Sequence, residues 1–375
     1  MSPEERAHLA ALAGFDRMTT ARLRMLLSGR STVEAFAMAS GVAAPSAAVA
    51  GVFRRWPDLV GRWTASARAT IPDVVGEQCA RLGVRILVEG DPDWPAQLCD
   101  DPRRPVVLFA QGDPDALATR RVGIVGTRNP TRRGAQTAAR FGHELAASGV
   151  CVVSGLALGV DGAAHRGALD AGGAAPVAVV ANGHDTPYPR RHRDLWAGVA
   201  ARGLVLSEWP PGTPPDPFRF PQRNRILAAL SELLVVVESR ERGGSLITAR
   251  EAAERGIDVY AVPGPIDQRS SAGTNALLGD GAAPVADTET LLVALGLDTR
   301  RAGRRRFDTR RRPDPDGEVV LRRCRQAAQC VETVAMGEGW DFARAALALA
   351  RLEHAGWLFE AGGWFEPADE YADLA

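Results

Sequence analysis

The chain has 375 residues, more than one ordinary domain contains, so we expect two or three domains. Hydrophobic residues make up 46% of it, enough for a packed core, and 45 basic residues balance 45 acidic ones, so net charge does not indicate a nucleic-acid partner. It has no run of about 18 apolar residues and no signal-peptide pattern, which excludes a transmembrane helix and predicts a soluble, cytoplasmic protein.

Two residue types are used unusually. The five cysteines form no C-x-x-C pair and are odd in number, which is typical of reduced structural thiols. All 45 basic residues are arginine, so every basic role falls to a planar guanidinium that can make bidentate hydrogen bonds.

The first part of the chain places apolar residues at helical spacing, interrupted by Gly14 and Gly29. This predicts a small helical domain over residues 1–65, of the SAM or helix-hairpin-helix type. A helical cap on the following domain fits the pattern equally well.

Short apolar runs then alternate with alanine-rich segments of helical length. Fully apolar strands separated by helices predict a parallel sheet that is covered on both faces. We therefore predict an α/β fold for residues 66–298, with an extended Rossmann-like sheet that is parallel or mixed. The runs are 84–88, 106–110, 121–126, 150–155, 176–181, 203–208, 233–238 and 257–264.

The composition changes again near the C-terminus. Residues 299–316 are rich in arginine and predict a linker. Residues 317–375 predict a winged-helix-like domain, with a helix whose apolar stripe includes Phe342 and Leu349, and a hairpin that turns at Gly362-Gly363. Residues 331–375 hold nine acidic residues and only two arginines, so we expect this module to contact protein rather than DNA.

The strand at 121–126 ends in Gly126-Thr127-Arg128, and ligands of doubly wound sheets bind at such strand ends. Asn129 as N-cap and Pro130 as first helical residue predict a helix whose free amides face an anion above Gly126. Neither G-x-G-x-x-G nor G-x-x-x-x-G-K-[ST] is present, so the turn predicts neither a dinucleotide site nor a P-loop.

The next strand ends in Ser154-Gly155, a second loop with close backbone access to a ligand. A triad of Ser154, Asp161 and His165 is conceivable, since the last two are spaced i, i+4. A serine in a glycine loop more often makes structural or ligand-orienting hydrogen bonds, and we favour that role.

The third strand runs into a turn-rich loop, 182–196, that supplies Arg190 and two further arginines. His184, Asp185 and His192 lie in it, but their spacing matches no standard metal site. We therefore predict no metal here.

Basic, aromatic and amide side chains crowd the start of a helix near residue 218. Arginines for phosphates and rings for base faces are typical of single-strand binding. The alternative is that one of the two phenylalanines belongs to the core. The residues are Phe218, Arg219, Phe220, Arg223, Asn224 and Arg225.

Gly244 and Ser245 open another helix with a small-residue loop. Several loops that suit anions thus converge on one sheet edge. Since no nucleophile–base pair, carboxylate dyad or metal cluster stands out, the sequence predicts binding rather than catalysis and implies no cofactor.

Six motifs in order, from VGIVGTRNPTRRG (122–134) to VPGPIDQRSSAGTNALLGDGA (262–282), resemble the DNA-processing protein family DprA, also called Smf. The order and spacing match over residues 84–285. The resemblance implies a non-enzymatic Rossmann-fold protein that binds single-stranded DNA, loads RecA onto it in natural transformation, and forms a homodimer through the Rossmann domain.

The family's glycine–serine–arginine motif lines a basic pocket for the DNA backbone and corresponds to Gly126-Thr127-Arg128. By the resemblance, Arg190 and Arg219 occupy neighbouring basic positions. The predicted nucleic-acid site comprises Gly126, Thr127, Arg128, Ser154, Gly155, Arg190, Arg219, Arg223, Asn224, Arg225, Gly244 and Ser245.

Two other interpretations remain open. One is a nucleotide-binding sensor, or a phosphoribohydrolase that cleaves nucleoside monophosphates, on the same fold. Those enzymes carry P-G-G-x-G-T, whereas residues 242–249 read RGGSLITA. The other is a transcription factor acting through the winged helix, which the acidity of that module disfavours.

Overall fold

The computed structural model describes residues 1–45, 47–297 and 313–368. The chain divides into two compact units, Met1–Thr299 and Arg300–Ala375. Residues 299–312 of the predicted linker lie outside the described residues, as do three of the nine C-terminal acidic residues. No helix in the described ranges combines the length and apolar character needed to cross a membrane.

Six helices precede the first strand. Capping boxes begin two of them, because Ser2 and Ser31 each accept a backbone N–H while a glutamate three residues later returns the bond. Their core surrounds the fully buried Trp63 and includes Val107 and Phe109 from the edge of the sheet. The helices and the sheet edge thus share one core. The helices are α1 (Pro3–Ala13), α2 (Thr20–Leu27), α3 (Thr32–Ala39), α4 (Ala47–Arg55), α5 (Pro57–Ala69) and α6 (Pro72–Arg81).

One nine-stranded sheet forms the centre of the first unit. Its strands are β1 (Val84–Leu87), β2 (Leu108–Gly112), β3 (Arg121–Val125), β4 (Cys151–Ser154), β5 (Val177–Val180), β6 (Leu204–Ser207), β7 (Leu233–Val236), β8 (Asp258–Ala261) and β9 (Ala283–Pro284). The spatial order is β1-β2-β6-β5-β4-β3-β7-β8-β9. β2 runs antiparallel to both of its neighbours, β1 and β6. The other strands are parallel to one another, in the spatial order β6-β5-β4-β3-β7-β8-β9.

This arrangement confirms the predicted α/β fold with an extended, mixed, Rossmann-like sheet. The central strands are buried on both faces because helices cover them, which is why they read as continuous apolar runs. The helices of this part are α7 (Arg132–Ala147), α8 (Val160–Ala171), α9 (Arg193–Arg202), α10 (Arg219–Leu230), α11 (Gly244–Ala253), α12 (Ala272–Gly279) and α13 (Thr288–Ala294).

The order in which the chain adds strands to the sheet reverses at β3. From β3 the chain adds β4, β5 and β6 on one side and later β7, β8 and β9 on the other. Ligands of such sheets bind at this switch point, beyond the carboxyl ends of the strands. The loops that follow β3, β5 and β7 therefore meet where a site is expected.

The second unit contains α14 (Pro315–Gln326), α15 (Val331–Glu338), α16 (Phe342–His354), β10 (Leu358–Ala361) and β11 (Trp364–Pro367). The hairpin turns at Gly362-Gly363, with φ of 62° and 87°, which confirms the predicted turn. Gln329 forms an isolated antiparallel bridge with Phe365 of β11. Phe342 does not join the core as expected. It is 58% exposed, because it lies in the first turn of α16, beyond the buried cluster around Leu349.

Candidate nucleic-acid interface

The turn after β3 differs in detail from its sequence prediction. Thr131, not Asn129, caps α7, and its hydroxyl accepts the Gly134 N–H at 3.0 Å. The Thr127 hydroxyl accepts the Asn129 N–H at 3.2 Å, so Asn129 and Pro130 belong to a side-chain-closed turn before the helix. The predicted cap and first helical residue were wrong because this local hydrogen bond delays the helix.

The N-terminus of α7 already has a carboxylate partner. Glu238, just beyond β7, accepts the Thr131 N–H at 2.9 Å and the Thr131 hydroxyl at 2.5 Å. Its backbone carbonyl accepts the Thr127 N–H at 2.7 Å, joining the two strand ends. The Thr131 amide expected to face an external anion therefore faces a protein carboxylate, which the helix dipole also favours.

Glycine is required at the start of this turn. A Cβ at Gly126 would lie 2.6 Å from Val160 Cγ2 and 2.9 Å from the Glu238 carbonyl oxygen. The Thr127 carbonyl accepts the Val160 N–H at 3.2 Å, so the turn is also fixed to the start of α8. Arg128 projects from this anchored turn into solvent.

Arg128 heads a row of side chains drawn from three elements. Its guanidinium lies over the ring of Phe220, 4.6 Å from the centroid, and Phe220 is half-buried at the start of α10. The Phe220 and Tyr188 ring centroids are 6.0 Å apart at an interplanar angle of 47°, and Tyr188 is 39% exposed. We call this set the Arg128–Phe220–Tyr188 row.

Sequence reasoning missed Tyr188. The signal was available, since an aromatic residue stands among arginines in YPRRHR, in the loop after β5. Arginine and rings together form a surface that suits single-stranded nucleic acid.

Exposed arginines are frequent in the segments that follow β5 and β7. The predicted Arg190 is exposed, and so are Arg191, Arg193 at the start of α9, and Arg240 and Arg242 in the loop after β7. Three acidic side chains of the same segments, Asp185, Asp194 and Glu241, are exposed as well, so the exposed charge of these segments is net positive.

Three predicted phosphate contacts lie beneath the surface. Arg223 is buried and donates to the Gly155 carbonyl at 2.7 Å and to the Val179 carbonyl, joining the ends of β4 and β5. Burial lowers the pKa of Arg223 to about 10, while nearby Asp161 acts in the opposite direction. A Cβ at Gly155 would lie 2.3 Å from a guanidinium nitrogen of Arg223, so this glycine admits the arginine.

Arg225 and Arg219 are also buried. Arg225 donates to both carboxylate oxygens of Glu208 at 2.5 Å and to the Thr20 hydroxyl at 2.8 Å. Arg219 donates to the Pro214 carbonyl, and burial lowers its pKa. The sequence prediction placed all three arginines on the DNA, whereas the structure uses them to fix α10 under the row.

The conceivable catalytic triad is not assembled. The Ser154 hydroxyl donates to the Ile124 carbonyl at 2.6 Å, and Asp161 accepts the Gly155 N–H at 3.2 Å. His165 Nε2 donates to the Val177 carbonyl at 3.2 Å. Burial raises the pKa of Asp161 and lowers that of His165 to about 4.

The histidines of the loop after β5 bond to backbone as well. His184 Nε2 contacts the Val205 carbonyl at 3.2 Å and His192 Nδ1 the Leu156 carbonyl at 2.9 Å. Within residues 1–45, 47–297 and 313–368, no group of three or more His, Cys, Asp or Glu side chains could hold a metal.

The remaining predicted residues border the switch point. Asn224 Nδ2 donates to the Gly244 carbonyl at 3.5 Å, and the Asn224 amide oxygen accepts from Arg223 Nε at 3.1 Å. Ser245 is buried against Ser239, with 2.9 Å between hydroxyl oxygens. Of these residues, Gly244 exposes its backbone at the start of α11.

The sequence of this chain is similar to those of known proteins. Residues 85–296 match the family model described as DNA recombination-mediator protein A. The chain is 37% identical over 303 residues to a putative DNA processing protein DprA of Mycobacterium tuberculosis, covering 75% of this chain and 76% of that one. It is 40% identical over 205 residues to DprA of Bacillus subtilis, covering 54% and 68%.

Two solved structures resemble the fold. The X-ray structure of DprA from Streptococcus pneumoniae matches with a TM-score of 0.62 at 29% identity, covering 78% of this chain and 98% of that one. DprA from Helicobacter pylori, whose structure is described in terms of its single-stranded DNA binding mode, matches with a TM-score of 0.52 at 29% identity, covering 57% and 97%.

Proposed function

This chain belongs to the DNA recombination-mediator protein A (DprA/Smf) family, and from that premise we propose that it binds single-stranded DNA at the carboxyl ends of its parallel strands. The single observation that carries the proposal is the Arg128–Phe220–Tyr188 row. Bases that are unpaired can stack on the rings while guanidinium groups meet the phosphates. A duplex keeps its base faces inside, so it would use only the charges.

The first test compares fluorescence anisotropy of a single-stranded oligonucleotide and its duplex on the wild type, Arg128→Ala and Arg202→Ala. Arg202 is a matched control, because it is exposed at the end of α9. It lies next to the amino end of β6, and the proposed site lies at the opposite, carboxyl ends of the parallel strands. We expect preference for the single strand, weakened by Arg128→Ala and unchanged by Arg202→Ala. Equal affinity for duplex, or indifference to Arg128→Ala, would overturn the proposal.

RecA loading is the second part of the proposed function. Its support is membership of a family described as recombination mediators. The test measures RecA filament growth on single strands coated with a single-strand-binding protein, with wild type and with Arg128→Ala. Faster growth with wild type only is expected, and no acceleration by wild type would contradict this role.

Assembly as a homodimer through the Rossmann-like domain of the first unit is the third part of the proposed function. This unit exposes large apolar side chains, among them Ile247, Ile266 and Val293, that are candidates for a protein contact. Sedimentation of wild type and Ile266→Glu over a range of concentrations tests it. A monomer at all concentrations would exclude the dimer.

We infer that the protein is not an enzyme. Ser154, Asp161 and His165 each bond to backbone groups, and none of these bonds links a nucleophile to a base. Incubation with nucleoside monophosphates should release no free base above the protein-free blank. Release that disappears in Asp161→Asn would favour the phosphoribohydrolase interpretation instead.

The acidic second unit is proposed to contact a protein. Its described surface includes exposed Met336, Phe342 and Trp364, which suit an apolar protein contact. A chain shortened to residue 312 keeps the arginine-rich segment and should bind single strands as tightly as the full chain. A large loss of affinity would show that this unit contacts DNA.

A further inference from the structure

A second cationic groove lies on the N-terminal helices. It encloses a cavity of about 330 Å³, and its lining includes Trp56, Phe218 and three arginines, Arg17, Arg22 and Arg62. We call it the N-terminal groove. None of its lining residues on α2 or α5 takes part in the site described above.

Trp56 gives the groove an accessible ring. It lies between α4 and α5, is 54% exposed, and has the Arg55 guanidinium 5.8 Å from its ring centroid. A large ring left in water beside guanidinium groups is the combination on which unpaired bases stack.

The charge around the groove is positive. Arg62 is paired with Asp16 at 2.9 Å, with both side chains about half exposed, and Arg22 donates to the Arg17 carbonyl. Asp58 is the one acidic residue among those that line the groove. Arg17 and Arg22, with the neighbouring Arg54 and Arg55, outnumber it, so the groove suits an anionic chain.

The N-terminal groove adjoins the carboxyl ends of the parallel strands, where the Arg128–Phe220–Tyr188 row lies. The Phe218 ring centroid lies 5.4 Å from the guanidinium carbon of Arg17 and 5.1 Å from that of Arg219. Phe218 precedes Phe220 by two residues at the start of α10, so one short segment contributes a ring to each place.

A buried link fixes this relationship. The Thr20 hydroxyl, at the start of α2, donates to Glu208 at 2.5 Å, and Glu208 also pairs with Arg225 of α10. Glu208 directly follows β6, which is parallel to β5. It therefore lies at the carboxyl ends of the strands, as the row does. The N-terminal helices are therefore held against the carboxyl ends of the strands.

We propose that the N-terminal groove is a second subsite for the same DNA strand, with a base stacked on Trp56 and phosphates on Arg17 and Arg22. The inference rests on the proposed function, because it extends the path of a strand already bound at the row. An exposed ring among arginines favours a single strand over a duplex, whose bases could not reach the ring.

The test compares oligothymidylates of about six and about twenty nucleotides, lengths chosen around the site sizes of single-strand-binding domains. The short one can fill the row alone, and the long one can extend into the groove. The variants are Trp56→Ala, Trp56→Phe and Arg17→Gln, with Arg68→Ala as control. Arg68 is exposed on α5 and does not line the groove.

We expect Trp56→Ala to weaken binding of the long oligonucleotide about 5- to 100-fold and to leave the short one unchanged. Trp56→Phe should restore most of the affinity, Arg17→Gln should lower it and its salt dependence, and Arg68→Ala should change neither. Wild-type binding of both lengths with no effect of Trp56→Ala or Arg17→Gln overturns the second subsite but not the proposed function. Binding of neither length by wild type overturns both.

Discussion

The Arg128 guanidinium lies 4.6 Å from the ring centroid of Phe220, although one residue follows β3 and the other lies in the first turn of α10. The contact holds a long, exposed side chain in one direction, which reduces the entropy that it loses on binding a phosphate. Phe220 thus has two functions, because it offers a ring face and orients the cation.

Phe220→Ala should therefore reduce affinity for single strands more than Tyr188→Ala, whose expected loss is about 1–3 kcal/mol. Phe220→Ala removes a ring that should contribute a similar stacking free energy, and it also removes the ring contact that orients Arg128. Anisotropy titrations of Arg128→Ala, Phe220→Ala and the double variant measure the coupling. Losses that simply add would show that the two residues act independently, and Phe342→Ala, exposed in the second unit, controls for loss of any ring.

Glu238→Gln should tighten single-strand binding about two- to five-fold while lowering thermal stability slightly. The change removes a negative charge beside the Arg128 turn and weakens the capping of α7, where a helix-end charge is worth about 0.3–1 kcal/mol. Paired titrations and thermal melts at low and high salt check both effects. Weaker binding would mean that the carboxylate positions the turn more than it repels the strand.

Glu208→Gln should destabilise the protein by about 3 kcal/mol, because it leaves the buried Arg225 guanidinium without its counter-charge. Asp93→Asn breaks the more exposed pair with Arg85 and should change stability by less than about 1 kcal/mol. Urea unfolding monitored by circular dichroism measures both. Equal effects of the two variants would contradict the structural importance of the Glu208 link.

The free energy of unfolding should fall as pH decreases from about 6.5 towards 4. Burial lowers the pKa of His165 and His184 to about 4, and their Nδ1 atoms have no hydrogen-bond partner while Nε2 donates to a carbonyl, as a neutral ring does. The unfolded chain therefore takes up protons in this window that the folded chain does not. Each histidine contributes a slope of about 1.4 kcal/mol per pH unit.

Denaturant titrations across this pH range on the wild type and on His165→Gln, His184→Gln and the double variant measure the slope. Each substitution removes one titrating ring, so the double variant should show the flattest dependence. An unchanged slope would mean that the acid sensitivity originates in other groups.

Local sequence patterns predicted much of this fold. Apolar runs between helical segments predicted the parallel strands, and Gly362-Gly363 predicted the hairpin, because each depends on neighbouring residues and a short period. Gly126-Thr127-Arg128 was placed at a strand end for the same reason. The positions of the strands along the chain, their parallel type and the location of these turns were thus determined by the sequence, whereas the residue that caps α7 was not.

Tertiary structure decided which side chains face the solvent. Arg128 and Arg223 are equally basic in the sequence, yet one projects outwards and the other is buried against the ends of β4 and β5. Glu238 occupies the helix end expected to await an anion, and Tyr188 meets Phe220 from another loop. These outcomes depend on contacts between residues far apart in the chain, and the fold brings such residues together through packing that no local pattern encodes.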